Sequence, residues 1–375
     1  MHFHLAKTCD PHASRNCQPK QAYAGWAQQL WLTQLNQALG YKAEIEHFRR
    51  IRTDCSATVP GCNMGRMYWQ TNDIWQGASW ASVDYTGRYK IVQYYVQKAY
   101  VPTLISADGN ALHNTFSMAM INDNPYGHSH LTGEVKLTMW SWGSVTPLKS
   151  WLVLYDAPPA SATNVTSSSF QAMLSAGGCT DATECLLTMA AFNGSAASGV
   201  LVSENYLLLA PFFDVTSMKA PRLNVTSVRP TKHYSTQPYE NAFAVTVTAE
   251  APAAFVWLET QYPGRWSDNG FVMTERSQTL TFFLDTSSHF HVPPDQLPRT
   301  TGTAAVGGGA GGGAGSTNLA PVGNVTALEI AHDLNNCRWQ NPASPADAPK
   351  LVLHPGKGSL FSLADTSVEY TAGAP

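Results

Sequence analysis

The chain has 375 residues, of which 44% are apolar and 11% aromatic, enough for the cores of two or three domains. Charged residues make up only 13% and the net charge is −3, so the sequence lacks the basic surface that nucleic acids and anionic lipids require. No stretch approaches the roughly 20 consecutive apolar residues of a membrane span, and the first ten residues contain no apolar signal-peptide core. A neutral partner, such as a carbohydrate, fits this composition.

Seven cysteines and four N-x-S/T sequons bear on the compartment of the chain. The sequons begin at Asn164, Asn193, Asn224 and Asn324, and they indicate either glycosylation or chance occurrence in a Ser/Thr-rich sequence. Cys179 and Cys185 bracket a short polar loop, and Cys55 and Cys62 have a similar spacing. Small disulfides in an oxidising compartment and independent thiols both remain open. No metal or cofactor is predicted, because neither pair is a C-x-x-C and no histidines have zinc-finger spacing.

The N-terminal part alternates between helical and strand-like patterns. Residues 21–52 predict a helix, with apolar side chains at roughly helical spacing: Trp26, Leu30, Leu35, Leu39, Ile45 and Phe48. Glu46 and Arg50 add an i,i+4 pair. The apolar run Met67–Trp69 turns polar at once, as a buried barrel strand does at its carboxyl end. Residues 88–100 predict a closing helix that Pro102 ends.

These elements fit the last part of a (β/α)8 barrel, but such a barrel needs about 250 residues. Residues 1–104 are therefore predicted to be an incomplete barrel segment. From residue 105 the pattern becomes β, and two sandwiches are predicted at 105–220 and 221–375. The second contains a Gly/Ala/Pro-rich insertion at about 300–357, including a flexible tract at 307–315, after which a short strand rejoins it. The predicted fold class is α/β plus all-β.

One stretch is specific enough to suggest a family: MYWQTNDIWQGASWASVDYTGRYKIVQYYVQKAY, residues 67–100. It resembles the last barrel strand and helix of the β-mannosidases of glycoside hydrolase family 2, in which a W-Q-x-N-D-x-W run precedes a Ser-Trp turn and an aromatic helix. A second match is the run WSDNGF, residues 266–271, which resembles the signature of the Ig-like domain that ends these enzymes. Collinear resemblance extends from about residue 2 to residue 285.

The resemblance implies retaining hydrolysis of terminal, non-reducing β-mannosides by two glutamates about 5–5.5 Å apart. In the family the acid/base lies at an Asn-Glu pair and the nucleophile in a Ser-Glu-Tyr/Phe-Gly segment, and neither pattern occurs in this sequence. Glu44 and Glu46 are interpreted as helix-surface or ion-pair residues. No catalytic residue is therefore assigned, and the missing catalytic half of the same protein is an expected partner.

The resemblance leaves one wall of a sugar pocket to this chain. Trp69 would lie at the carboxyl end of the strand and stack on a sugar ring, or else belong to the core. Asn72 and Asp73 would bond sugar hydroxyls or brace the catalytic carboxylates, or equally cap a turn. Trp75 is assigned to the loop wall. These four residues are the predicted substrate-binding set.

Other candidates receive structural interpretations. Asp84 is predicted to be a turn residue, and His128 and His130 lack a third metal ligand at suitable spacing. The loop residues Trp266, Asp268 and Asn269 are predicted to fix local backbone.

Three functions follow. The first is a C-terminal fragment of a lysosomal, vacuolar or secreted β-mannosidase, with a β-mannoside-containing oligosaccharide as substrate. The second is a non-catalytic Ig-like module that binds glycan or protein. The third is another family-2 β-glycosidase, because fold does not fix substrate.

Overall fold

The computed structural model describes residues 22–53, 55, 61–63, 65–124, 130–215, 217–231, 242–260, 262–285 and 359–361. The insertion at 300–357 and the glycine-rich tract at 307–315 lie outside the described residues. In the described part of the chain, no helix is both long and apolar enough to cross a membrane. The described residues are mostly β, and they include three α-helices.

The helices are α1, Ala22–Arg50; α2, Ile91–Ala99; and α3, Phe170–Gly177. The predicted helices at 21–52 and 88–100 correspond to α1 and α2, so both are confirmed with shorter ends. Proline is absent from α1. Three basic residues in its last turn interact favourably with the negative end of the helix dipole. In α3, Ser169 caps the first turn by accepting a hydrogen bond from the Ala172 N–H, and Gly178 ends the helix in a left-handed conformation.

The strand predicted at Met67–Trp69 is wrong, since these residues form an extended loop. A barrel strand makes its hydrogen bonds to a parallel neighbour on each side, and no described residues supply such neighbours here. Side chains take their place: the Tyr100 hydroxyl donates to the Arg66 carbonyl and the Tyr41 hydroxyl to the Trp69 carbonyl. The partial barrel is thus not visible as a sheet in the described residues.

The first sandwich contains seven antiparallel strands in two sheets, ordered β1-β2-β5 and β4-β3-β6-β7. The strands are β1, Thr103–Asn110; β2, Thr115–Asn122; β3, Leu131–Ser141; β4, Pro147–Ala157; β5, Ser161–Ser168; β6, Cys185–Asn193; and β7, Val200–Leu208. Their inward side chains form one core with α3. Because consecutive strands pair or cross between two facing sheets, the arrangement is the Ig-like sandwich expected from the sequence.

The second sandwich has sheets ordered β11-β13-β9-β8 and β12-β10-β14. Its strands are β8, Asn224–Thr231; β9, Ala242–Thr248; β10, Ala253–Glu259; β11, Gly264–Trp266; β12, Phe271–Met273; β13, Ser277–Leu284; and β14, Ser359–Phe361. The pairing of Trp257 with Phe361 places β14 antiparallel to β10. The prediction that a short strand after the insertion rejoins this domain is therefore confirmed.

Helices α1 and α2 share a hydrophobic core with the second sandwich and do not form a separate one. Buried residues of α1 and α2, including Leu35, Ile45 and Tyr95, lie in the same cluster as Phe255 and Phe282. Burying apolar surface at about 25 cal/mol per Å² makes this contact a substantial part of the stability of both. The helices therefore hold the segment between them, residues 65–90, at a fixed place beside the sandwiches.

Candidate functional site

Residues 65–90, which we call the aromatic loop, connect α1 to α2 and carry large exposed aromatic side chains. Trp69 is 69% exposed, Trp75 72% and Trp80 62%. A single exposed aromatic side chain is ordinary on a protein surface. Three exposed tryptophans within twelve residues are unusual, and exposed apolar groups of this kind often mark a binding site. Trp69 is thus in neither the core nor a sealed interior.

The aromatic loop is fixed by hydrogen bonds of its own backbone. The N–H of Asp73 donates to the Val83 carbonyl at 3.0 Å, and the N–H of Val83 donates to the Thr71 carbonyl at 2.8 Å. The N–H of Ser82 donates to Gln70, and that of Lys90 donates back to Ser82, at 3.0 and 2.9 Å. The two limbs of the loop therefore run side by side.

Asp73 connects this loop to the start of α2. Its carboxylate accepts hydrogen bonds from the Ser79 hydroxyl and from the Lys90 ammonium, the latter at 3.0 Å. The hydrogen bond from Ser79, assisted by Lys90, holds the pKa of the Asp73 carboxyl below its ordinary value, against the opposing effect of desolvation. Asp73 therefore stays ionised and bonded within the loop.

Asn72 lies beside it with an exposed side chain. Its side-chain amide donates to the Asp73 carbonyl at 3.2 Å. Of the four residues predicted to bind substrate, Trp69, Trp75 and Asn72 present exposed groups on one loop, whereas Asp73 supports that loop from within.

A buried hydroxyl behind the loop was not singled out from the sequence. Ser82 is fully buried and bonds the Tyr68 hydroxyl at 3.0 Å, the Thr71 carbonyl at 2.8 Å and the Gln93 amide oxygen at 2.6 Å. Gln93 lies on α2, so this network fastens the loop to the helix. In the sequence Ser82 stands between Ala81 and Val83 and carries no signal of this role.

We call residues 264–271 the signature loop. In contrast to the aromatic loop, it buries its tryptophan and its asparagine. Trp266 is 5% exposed and Asn269 1%. The Asn269 oxygen accepts from the Leu258 N–H at 2.7 Å, and its amide donates to the Leu258 carbonyl at 2.8 Å. The prediction that this loop fixes local backbone is confirmed.

Helix α2 bridges the two loops. The Tyr94 hydroxyl accepts from the Trp266 N–H at 3.2 Å, and the Tyr95 hydroxyl donates to the Gly270 carbonyl at 2.8 Å. Burial raises the pKa of both hydroxyls, so both remain protonated at neutral pH. At the other end of the helix, Lys98 pairs with Asp268 at 2.6 Å.

Buried charges join α1 to the first sandwich. Glu46 pairs with Lys42 at 2.8 Å and lies 4.0 Å from Arg50, which confirms the predicted i,i+4 pair. It is 4% exposed and not on a solvated face. It also bonds Ser106 on β1 and Asn205 on β7. Burial opposes its ionisation, but Lys42 and these bonds outweigh it and hold the Glu46 pKa below its ordinary value.

The remaining sequence candidates have structural places. Asp84 accepts from the N–H groups of Thr86 and Arg88, so it is the predicted turn residue. Glu44 pairs with Arg66. His128 lies outside the described residues, and His130 pairs with Asp156. Within the described ranges, no three His, Cys, Asp or Glu side chains are grouped to hold a metal ion.

Both candidate cysteine pairs are disulfides. Cys55 and Cys62 close a loop after α1, and Cys179 and Cys185 close the connection from α3 to β6. This resolves the choice between disulfides and free thiols that the sequence left open.

Comparison with known proteins agrees with this architecture. The Ig_mannosidase family model, an Ig-fold domain, matches residues 218–292. The β-mannosidase of Capra hircus is 30% identical over 257 residues, which cover 68% of this chain and 27% of that protein. For the β-mannosidase of Mus musculus the identity is 28% over 297 residues, with 76% and 29% covered. The solved β-D-mannosidase of Dictyoglomus thermophilum, 18% identical, has a TM-score of 0.51 and is similar over 68% of this chain and 28% of that one.

Residues 218–292 are an Ig-fold domain of the Ig_mannosidase family. Over about two thirds of its length the chain is similar to β-mannosidases. It spans little more than a quarter of the length of the goat and mouse relatives.

Proposed function

We propose that this chain is part of a retaining β-mannosidase and supplies one wall of its substrate site. The exposed tryptophans of a hydrogen-bonded loop carry the proposal: Trp69 stacks on the terminal mannose, Asn72 bonds a hydroxyl, and Trp75 lines the entrance. A flat indole face packs well on the C–H face of a sugar, while its N–H remains free for a polar partner. The substrate is a β-mannoside-containing oligosaccharide.

In this proposal Asp73 positions the loop and does not react. Its carboxylate is already engaged by Ser79 and Lys90, so it is a poor proton donor. The reaction requires a nucleophile and an acid/base about 5–5.5 Å apart, and we assign both to chain outside this sequence, in the part of the barrel that residues 1–104 would complete. The two disulfides support a lysosomal, vacuolar or secreted location, since disulfides persist in oxidising compartments.

Hydrolysis of p-nitrophenyl β-mannoside tests the proposal, measured for this chain and for an N-terminally extended chain. We expect turnover from the extended chain alone. Turnover by the short chain would overturn the assignment of the carboxylates. Mannoside binding without turnover by either chain would favour a non-catalytic glycan-binding module, and faster hydrolysis of a β-galactoside or β-glucuronide would indicate another family-2 specificity.

Variants of the extended chain test the residues. Trp69→Ala should lower kcat/KM about tenfold or more, equal to roughly 1.4 kcal/mol of transition-state binding. Trp69→Phe, which keeps an aromatic face, should recover part of the loss. Leu154→Ala is the matched control, because Leu154 is also highly exposed, at 76%, but lies on the first sandwich. Equal activity of Trp69→Ala and Leu154→Ala would contradict the proposed stacking.

A further inference from the structure

The edge strand β5 of the first sandwich lacks the residues that usually keep an edge strand from pairing with strands of other molecules. Its sequence, SATNVTSS, contains neither charge nor proline, and within the described residues no strand pairs with its outer side. Unpaired edges of this kind invite pairing with other chains, and proteins protect them with charge, proline or a cover.

The other long edge strands of the described residues carry such protection. Their charged or proline residues are Asp108 on β1; Pro147, Lys149 and Asp156 on β4; Glu204 on β7; and Arg229 and Pro230 on β8. Among the described edge strands of eight residues or more, β5 alone has neither. The Thr53 hydroxyl donates to the Ala162 carbonyl near the start of β5, at 2.8 Å, and the strand has no charged side chain to protect the rest of its edge.

β5 contains a sequon, Asn164-Val165-Thr166, at a bulge. Met118 pairs with Thr166 and the next residue, Ala119, pairs with Asn164, so Val165 is the extra residue. Val165 packs against the core, whereas Asn164 is exposed and Thr166 is half-buried.

The Asn164 side chain is exposed, and its described bonds are to Ser167 alone, at 2.9 and 3.2 Å. A substituent on its amide nitrogen would therefore displace only a surface hydroxyl. By contrast, the side chain of the sequon residue Asn224 is half-buried at the start of β8. The two disulfides indicate a compartment where glycosylation of sequons occurs.

We propose that Asn164 carries an N-linked glycan and that this glycan covers the open edge of β5. Asn164 is thus a modification site with a physical purpose: a bulky, hydrated group on an uncharged edge keeps other strands from pairing with it. The proposal is independent of mannoside hydrolysis.

The test is to direct the full chain into the secretory route of a eukaryotic cell and to map its glycopeptides by mass spectrometry. We expect a glycan at Asn164 and none at Asn224. Thr166→Ala should abolish the glycan, whereas Thr166→Ser, which keeps the sequon, should retain it. An unmodified Asn164, or modification of Asn224 in its place, would overturn the site.

The covering role is tested by light scattering at increasing protein concentration. Thr166→Ala should associate more than the parent and the Thr166→Ser control, by severalfold at the highest concentration. Asn164→Lys, which lacks the glycan but places a charge on the edge, should again resemble the parent. Equal association of all four chains would overturn the covering role.

Discussion

The aromatic loop and the signature loop use the same residue types for opposite purposes. Each combines a tryptophan with a nearby asparagine and aspartate, and each places its aspartate against a lysine at one end of α2. Yet Trp69 is 69% exposed, whereas Trp266 is 5% exposed. The difference is that the signature loop packs on a strand of its own sandwich. The aromatic loop is bonded to α2 through Ser82 and Asp73, but its tryptophan side chains are exposed to solvent.

The largest contrast should appear when each tryptophan is truncated. Trp266→Ala removes a buried ring that packs on Phe282 and should cost about 3–5 kcal/mol of unfolding free energy. Trp69→Ala should change it by no more than about 0.5 kcal/mol. Urea unfolding followed by circular dichroism measures both. Similar losses in the two variants would show that the loops do not differ as described.

A second contrast concerns the two asparagines. Asn269→Ala leaves the N–H and C=O of Leu258 buried without the amide that bonds both, which should cost about 3 kcal/mol. Asn72→Ala should cost no more than about 0.5 kcal/mol, since its amide bonds an exposed carbonyl. The same urea titration applies, and a neutral Asn269→Ala would rule out the backbone-fixing role.

Acid should loosen the aromatic loop before the signature loop. The folded-state pKa of Asp73 is lowered, so its contribution is complete above the ordinary aspartate pKa of about 3.9 and is lost as the pH falls through the folded value. Amide hydrogen exchange of residues 71–83 should accelerate in that range, relative to residues 264–271. Asp73→Asn should show the faster exchange already at neutral pH; retained protection in this variant would contradict the role of Asp73.

The smallest expected difference is in the unfolding free energy lost when each of the two lysines at the ends of α2 is replaced. Lys98 is 49% exposed in its pair with Asp268, whereas Lys90 is 16% exposed in its pair with Asp73. Screening by water should limit Lys98→Ala to about 0.5 kcal/mol, and Lys90→Ala should cost about 1 kcal/mol. Double-mutant cycles with each aspartate measure the pair energies. A larger pair energy for Lys98–Asp268 than for Lys90–Asp73 would contradict this prediction.

Much of the fold was predictable because local patterns agree with it. The proline-free apolar periodicity of 21–52, the alternation in β3 and β9, and the return of a short strand at 359–361 each had a signal within a few residues. The strand at 67–69 was not predictable correctly, because a strand exists only through its partners. Burial of Glu46 was equally hidden, since Ser106 and Asn205, which bond it, lie far away in the chain.

The sequence by itself determined the family resemblance, the helices, the two β regions and the choice of Trp69, Asn72, Asp73 and Trp75 as candidates. Tertiary structure decided which tryptophans face water, which carboxylate is bound by lysine and serine, and which cysteines are joined. The physical reason is that residue type and spacing set local conformation and apolar faces, whereas exposure and ion pairing depend on what distant segments bring alongside.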